Sequence, residues 1–361
     1  MSARTLNLGE LAHIVGQGTG VLSPRGQDPL ETDLREDANN LILVCANQHG
    51  EIDSSGALDV FTVEMLRRLK QEHEDRIRHV TGLRADRATT VVRMVGQVHG
   101  QEVELSRQTA STAVVAAHRF PLFLESYARH GIEIDLRGVP RESPLVPHGA
   151  LEAAVSSRAY YRLAAEIIDD VIERQLQRGI VRDSVRHVSV FGFARLPLLV
   201  HLGSRLDDTV PTDIYQRQRR DESWMWRDDG PAVDFTARVN HDAPAGSDAV
   251  VLMNVSGSIR QQEVPAELAA LRRYEIRPVQ APMCPDILRD RESLRRFAAT
   301  LRDFFALLEL EAKTVRRLHV LPAVPMSAAV ALGRAHHPQV HPQLVIYERL
   351  EGDYVPTLEV G

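Results

Sequence analysis

The sequence predicts an α/β protein in which a small N-terminal domain precedes a larger sheet-containing domain. From about residue 90 onward, apolar strand-like runs alternate with amphipathic helix-like runs, a pattern typical of a sheet with helices on its faces. Before residue 80, one short apolar run leads into a helix after a polar loop rich in Gly and Pro. The polar segment "TGLRADRATT" separates the two regions. We therefore predict domains at residues 1–80 and 93–361, joined by a linker at residues 81–92.

The elements of the N-terminal domain follow from its apolar spacing. A short extended segment around "ELAHIV" precedes a polar loop from Gly16 to about Asp37, and "LILVC" at Leu41–Cys45 reads as a strand that runs into helix. The stretch "DVFTVEMLRRLKQEHEDRIRHV" has a helical period, with apolar residues at Val60, Val63, Leu66, Leu69 and Ile77.

The larger domain shows a repeated order of strand and helix. "VVRMVGQVHGQEVELS" reads as a hairpin, "YYRLAAEIIDDVIERQLQRG" as a helix, and "RHVSVFGFARLPLLVHLGSRL" as a strand that ends on a turn. "SDAVVLMNVSG" reads as a buried strand, "LRRFAATLRDFFALLELEAK" as a long helix, "RRLHVLPAVPMSAAVALGRA" as strand, turn and helix, and "QLVIYERL" as a last strand. No exact repeat is present, but two halves of similar order indicate a possible diverged duplication.

Composition excludes several classes of protein. The 361 residues include no run of about 18 apolar residues and no signal peptide, which predicts a cytoplasmic protein. Two cysteines are too few for a disulfide framework or a Cys-based zinc cluster. Residues 1–80 carry 8 basic and 13 acidic residues, a balance of −5. Because affinity for DNA comes largely from phosphate neutralisation, one such domain is a poor DNA binder by itself.

The N-terminal domain contains a possible catalytic constellation. His13 is followed 27 residues later by Asn40 and nine residues after that by His49, with Asp53 one helical turn further. Phosphodiester hydrolysis needs a base that activates water and a divalent metal that neutralises the phosphate. His13 is the candidate base, Asn40 the residue that holds its loop, and His49 and Asp53 the metal ligands. In the alternative interpretation, Asn40 belongs to a plain turn and Asp53 is a helix cap.

The segments "GELAHIVG", "NNLILVCANQHGEID" and "LRRLKQEHE" together resemble an HNH endonuclease domain over about residues 9–75. The resemblance implies a ββα-metal fold, Mg²⁺ or another divalent metal as cofactor, and double-stranded DNA as substrate. Gln48 departs from the pattern, because the family usually has His or Cys at this position.

The rest of the chain resembles the SAVED sensor domain of bacterial CBASS anti-phage systems. The resemblance lies in "VSVFGFARLPLLVHLGSRLDD" with the following "YQRQRRDESWMW", in "VVLMNVSGSI", and in "LHVLPAVPMSAAVALGRA" with "VIYER". It implies two CARF-like Rossmann halves that bind a cyclic di- or trinucleotide between them, and assembly into a homo-oligomer on activation.

Candidate contacts with the messenger lie where strands end. Ligands of α/β sheets bind at the carboxyl ends of strands, which predicts Ser256 and Gly257 in "NVSGS" and Pro322 and Pro325 in the Pro-rich turn. Tight turns without a ligand are the alternative. The segment "RRDESWMWRDD" adds candidates for base stacking and phosphate binding, which are Trp224, Trp226, Arg219 and Arg220. Alternatively, the two tryptophans anchor this loop onto the core.

These observations favour a cyclic-oligonucleotide-activated endonuclease that degrades double-stranded DNA. A sensor or scaffold with an inactive HNH module is the second interpretation. A nucleotide hydrolase that uses the α/β domain for catalysis is the third.

Overall fold

A computed structural model describes residues 9–81, 87–98, 103–123, 131–139, 150–182, 185–206, 208–227, 230–244, 246–350 and 352–361. The chain divides into two compact units, residues 1–84 and 85–361. No helix among the described residues is long and apolar enough to span a membrane.

The N-terminal unit is a β-hairpin-like pair of strands followed by two helices. Strand β1 (Gly9–His13) pairs antiparallel with β2 (Leu41–Cys45), and helices α1 (Ala46–Ile52) and α2 (Val63–Thr81) follow. A small apolar core forms on one face of this sheet, because alternate strand residues point the same way. Its fully buried members are Ala12, Ile14, Ile52 and Leu66.

The C-terminal unit begins with a parallel sheet. It contains β3 (Ala88–Val95), α3 (Arg107–Ala116), β4 (Phe120–Leu122), β5 (Ile132–Asp135), α4 (Ala150–Val171), a π-helical turn, α5 (Arg178–Val181), β6 (Val188–Phe193), α6 (Leu196–Ser204) and β7 (Thr212–Tyr215). The strand order is β4-β3-β6-β7, and β5 also pairs with β3. Each of these pairings is parallel.

A second, mixed sheet follows along the chain. It contains β8 (Asp234–His241), β9 (Asp248–Asn254), β10 (Arg272–Val279), α7 (Arg291–Glu311), β11 (Arg317–Ala323), α8 (Met326–Ala335), β12 (Gln343–Leu350) and β13 (Asp353–Val360). The order is β13-β12-β11-β9-β10-β8, with the two edge strands antiparallel to their neighbours and the inner strands parallel.

Three sequence expectations about these elements are wrong. Strand β3 starts at Ala88, inside the segment expected to be a linker, of which residues 82–86 lie outside the described part. The expected hairpin after it does not form, because β3 finds parallel partners on both sides and the chain continues into α3. The strand "VSVFGF" ends not on a simple turn but on α6, whose Pro197 lies in the first helical turn.

Helices α6 and α8 join the two halves of the C-terminal unit by direct backbone contact. Each carries the sequence Val-x-Leu-Gly, at residues 200–203 and 330–333. A Cβ atom on Gly203 would lie 2.1 Å from the carbonyl oxygen of Val330, and one on Gly333 would lie 1.8 Å from that of Val200. The contact is therefore reciprocal, and the two strand-helix units β6-α6 and β11-α8 meet as equivalent partners.

Candidate functional site

Asn40 fastens the chain that follows β1. Its side chain is almost fully buried and accepts a hydrogen bond from the Val15 backbone N–H at 2.9 Å. The Asn40 amide donates to the carbonyl oxygens of Val15 and Arg35, both at 2.8 Å. These three hydrogen bonds fix the loop next to His13. Its part in catalysis stays a prediction.

His13 lies at the end of β1 and contacts a carboxylate. Its Nε2 atom is 3.2 Å from Oε1 of Glu36, and Gln17 donates to the same oxygen. The bond from Gln17, followed by the contact with His13, lowers the pKa of Glu36 below its usual value. An ionised Glu36 favours a proton on Nε2, which leaves Nδ1 of His13 as a proton acceptor.

His49, on helix α1, lies between the carboxylate of Glu10 on β1 and that of Asp53 at the end of α1. Its Nδ1 atom is 2.8 Å from Glu10 Oε2, and its Nε2 atom is 3.4 Å from Asp53 Oδ2. The expected neighbourhood of His49 and Asp53 is therefore present. The side chains of His13 and His49 have different partners, and the two residues are linked only indirectly, because Nη2 of Arg25 donates both to the His13 backbone carbonyl at 3.3 Å and to Asp53.

The residues present do not form a metal site in this arrangement. Within the described ranges, no group of three or more His, Cys, Asp or Glu side chains is placed to hold a metal ion. The two ring nitrogens of His49 face different carboxylates, and Arg25 already supplies a cation to Asp53, with its Nη2 atom 2.5 Å from Oδ1. The ligand role of His49 and Asp53 for Mg²⁺ stays a prediction.

Two arginines organise the loop between β1 and β2. Arg25 donates to the carbonyl oxygens of Ile14 at 2.6 Å and Ile52 at 2.7 Å in addition to Asp53. Arg35 is 2% exposed and donates to five loop carbonyls, those of Gly16, Gly18, Gly26, Asp28 and Leu30. Sequence reasoning missed both residues. Arg25 is preceded by Pro24 and followed by Gly26, and Arg35 has no glycine within eight residues, so the sequence carries no local signal for either role.

The Gln48 side chain contacts the N-terminal end of helix α1. Its side-chain oxygen lies 3.5 Å from the backbone nitrogen of Cys45, the residue that caps α1, in a capping-box arrangement. The departure from the HNH pattern at this position therefore supports the start of the helix.

The C-terminal unit contains a cavity of about 890 Å³ at the carboxyl ends of strands from both sheets. Helices α6 and α8 begin at its wall, where their N-cap residues are Arg195 and Pro325. Neither cap residue makes a side-chain capping bond, but Pro197 of α6 has no N–H group and the Ser327 N–H of α8 already donates to Oε1 of Gln216 at 3.0 Å. Strand ends and helix starts meet here as expected for a ligand site of an α/β fold.

Positive charge dominates the cavity wall. Among the described residues that line it, four are arginines, namely Arg195, Arg217, Arg219 and Arg349, and one is acidic, Glu348. Arg217 also contacts Glu222 at 3.1 Å and Arg349 contacts Glu263 at 2.5 Å, and both acids lie outside the wall. A ligand with negatively charged groups matches this wall better than a neutral one.

Glu348 belongs to a polar group at the cavity in which Tyr161 is fully buried and Glu348 and Arg195 are half-buried. Its Oε2 atom lies 3.2 Å from the hydroxyl of Tyr161, and Arg195 Nη1 lies 3.4 Å from the same hydroxyl. Burial raises the pKa of Glu348 to about 7, and the charge of Arg195 and the bond from Tyr161 oppose that rise. Burial and the charge of Glu348 also raise the pKa of Tyr161. Sequence reasoning missed this group, because its members lie far apart along the chain.

The predicted messenger contacts divide into two sets. Ser256, Pro322, Pro325 and Arg219 line the cavity, whereas Gly257 and Arg220 are not among its lining residues. Their binding roles stay predictions.

The interpretation of the two tryptophans as stacking platforms is wrong for Trp224. This side chain is 2% exposed and packs edge-to-face against Phe191, with ring centroids 5.5 Å apart. Trp226 is partly buried and packs against both apolar clusters that flank the first sheet. Neither residue lines the cavity. The charged neighbours pair among themselves, as Arg227 does with Asp221, which lets both indoles turn inward and anchor the loop.

Solved structures of SAVED/CARF-domain containing receptors resemble this chain. The Acinetobacter baumannii Cap4 SAVED/CARF-domain containing receptor with the cyclic trinucleotide 2'3'3'-cAAA is 13% identical, with a TM-score of 0.47, over 84% of this chain and 59% of that chain. The same receptor with 3'3'3'-cAAA is 15% identical, with a TM-score of 0.46, over 66% and 50%. The Moraxella osloensis receptor is 15% identical, with a TM-score of 0.41, over 66% and 49%. This chain thus spans about half to three fifths of their length.

No curated protein sequence matches the chain. A family model does: the "SMODS-associated and fused to various effectors sensor domain", abbreviated SAVED, matches residues 168–360. The match covers more than half of the chain, and it includes both helices that border the cavity. The SAVED expectation for the C-terminal region is confirmed, and the chain belongs to the SAVED family of sensor domains.

Proposed function

We propose that this chain is an anti-phage effector in which a cyclic di- or trinucleotide bound in the C-terminal cavity activates cleavage of double-stranded DNA by the N-terminal unit. The observation that carries the proposal is the arginine-lined cavity of about 890 Å³ at the carboxyl ends of strands in a SAVED domain. Its size lies within the usual range of sites for small ligands.

The cavity suits the chemistry of a cyclic oligonucleotide. Each phosphate of such a ligand carries one negative charge, and a guanidinium group binds a phosphate with two parallel hydrogen bonds. Arg217 and Arg219 follow strand β7 and Arg349 belongs to strand β12, so the cavity offers separate phosphates arginines from different elements.

The N-terminal unit supplies the parts from which a nuclease is built. An antiparallel strand pair leads into α1, His13 ends the first strand, and Asn40 holds the loop beside it. In this proposal Glu36 orients the ring of His13, whose free nitrogen takes a proton from the attacking water. Because residues 1–80 are acidic overall, we further propose that homo-oligomers combine several copies to hold DNA.

A sensor or scaffold with an inactive nuclease module is the second candidate. It is favoured by the separate partners of His13 and His49 and by the ion pair between Arg25 and Asp53. The structure needs no change of the N-terminal unit for this function, whereas cleavage requires that phosphate and any metal enter the space beside His49.

The experiment that separates these functions uses supercoiled plasmid DNA with the purified chain. The protein is incubated with Mg²⁺ or with EDTA, in each case with and without a panel of cyclic di- and trinucleotides. Messenger-dependent linearisation and degradation in Mg²⁺ supports the proposed function. Messenger binding without cleavage assigns the chain to the sensor or scaffold class. Consumption of the messenger itself assigns it to the nucleotide hydrolases.

A further inference from the structure

Glu348 is the one acidic side chain among the described residues that line the cavity, and it requires an explanation. An ionised carboxyl group repels the phosphates that four arginines attract, so Glu348 weakens anion binding unless it contacts another part of the ligand. The part of a cyclic oligonucleotide that carries N–H donors is the nucleobase. A carboxylate accepts hydrogen bonds and donates none.

The surroundings of Glu348 fix the direction of its carboxyl group. The Tyr161 hydroxyl is bonded to Oε2 at 3.2 Å, and the Arg195 guanidinium lies beyond that hydroxyl, 5.9 Å from the ring centroid of Tyr160. No hydrogen bond to Oε1 is formed by the described residues. A donor on one oxygen favours the ionised form and a single rotamer, so the other oxygen is held ready for a ligand.

Nucleobases differ in what they present to such a carboxylate. Guanine presents two adjacent donors, N1–H and the N2 amino group. Adenine presents one amino group next to the N1 acceptor, whose lone pair faces the carboxylate. A site built for donors rejects an analogue that brings an acceptor, because a buried polar group then stays unpaired.

We propose that Glu348 selects the base, and that the messenger contains at least one guanine whose N1–H and N2–H groups donate to the Glu348 carboxylate. The inference rests on the proposed sensing function and specifies its ligand. Arg195 and Tyr161 are positioning residues in this account, because they act through Glu348. The remaining arginines bind phosphate and carry no preference among bases.

The pKa of Glu348 gives the proposal a second readout. With a pKa of about 7, Glu348 is mostly ionised at pH 8 and mostly neutral at pH 6. Tyr161 and Tyr354 stay neutral and Arg195 stays charged across this range, and these groups face Glu348 from α4, from β13 and from the start of α6. Affinity for a guanine-containing messenger should therefore fall as the pH is lowered from 8 to 6.

The test is calorimetric titration with cyclic di-GMP, cyclic GMP–AMP, cyclic di-AMP and cyclic tri-AMP. The proteins are the full chain, Glu348→Gln, Tyr161→Phe, and the control Glu359→Gln, which changes an exposed acid on the next strand. We expect the wild type and the control to bind a guanine-containing ligand at least tenfold more tightly than the ligands that contain only adenine. Glu348→Gln should remove that preference, and Tyr161→Phe should reduce it, with melting curves that show folded proteins.

Three different results would overturn the inference. A wild-type preference for adenine-only ligands, or a guanine preference unchanged in Glu348→Gln, refutes the role of Glu348 and leaves the sensing function intact. Failure of every cyclic nucleotide to bind refutes the proposed function together with the inference.

Discussion

Substitution of Gly203 or Gly333 by alanine tests how the two halves of the sensor are joined. In an ordinary helix the change from Gly to Ala is stabilising by about 1 kcal/mol. Here a Cβ atom on Gly203 would lie 2.1 Å from the Val330 carbonyl oxygen, and one on Gly333 would lie 1.8 Å from the Val200 carbonyl oxygen. A carbon and a carbonyl oxygen normally approach to about 3.3 Å. Each substitution therefore forces the helices apart by more than an ångström.

The cost follows from what cannot move. Both contacting atoms belong to backbone inside α6 and α8, and most residues of the two helices are buried. Overpacking of a core lowers the free energy of unfolding by about 1–3 kcal/mol. Because neither backbone can move aside, we expect each substitution to cost about 3 kcal/mol or more. We expect Gly203→Ala and Gly333→Ala each to lower the melting temperature by at least about 5 °C. Because both helices begin at the cavity, messenger affinity should fall as well.

Circular dichroism melts of the full chain provide the measurement, with Gly138→Ala as the control. A Cβ atom on Gly138 meets nothing within 4 Å, and this glycine does not have a positive φ. If Gly203→Ala and Gly333→Ala both melt within 1 °C of the wild type, the close backbone crossing of α6 and α8 is refuted.

Four further predictions concern other parts of the chain. Asn40→Ala removes the partners of buried backbone groups at Val15 and Arg35, and should destabilise the N-terminal unit by about 2–4 kcal/mol in urea unfolding; an unchanged midpoint would contradict this. Asp53→Asn should lower the melting temperature even in EDTA, since Arg25 loses its charged partner, and an effect seen only with Mg²⁺ would instead support a metal ligand. Burial lowers the pKa of His336 to about 4, so the unfolded chain binds the extra proton between pH 6.5 and pH 4. The free energy of unfolding that this neutral histidine contributes should therefore fall by up to about 3 kcal/mol as the pH is lowered from 6.5 to 4. This decrease should be absent from His336→Gln. Light scattering should show an increase in mass when an activating messenger is added, whereas constant mass during activation would exclude assembly as the switch.

Local patterns predicted much of the secondary structure. The period of "VEMLRRLKQEHE" gives α2, and the apolar runs "VSVFGF" and "AVVLMN" give the buried strands β6 and β9. Continuous apolar runs indicate that both faces of the sheet are buried at these strands, as is typical of inner strands of a parallel sheet. They do not report which strand is the neighbour, and for that reason β3 was expected in a hairpin although its partners are β4, β5 and β6.

Site residues were predictable where the chemistry is local in sequence. The Asn40 bonds to the loop beside His13 and the closeness of His49 to Asp53 follow from strand and helix geometry. The group of Tyr161, Arg195 and Glu348 joins three elements across 187 residues and has no local signature. For Trp224 the local sequence was misleading, because its charged neighbours predicted an exposed loop, whereas the indole itself is buried.

One separation-of-function measurement tests the central claim most directly, namely the rate of plasmid cleavage as a function of messenger concentration. The wild type should be inactive without messenger and become active as messenger is added. His13→Ala should bind messenger normally and cleave at least 100-fold more slowly. The double variant Arg217→Ala with Arg219→Ala should reach the wild-type maximum rate, but at a messenger concentration at least tenfold higher. Cleavage by the wild type that does not depend on messenger, or wild-type rates in His13→Ala, would contradict the account.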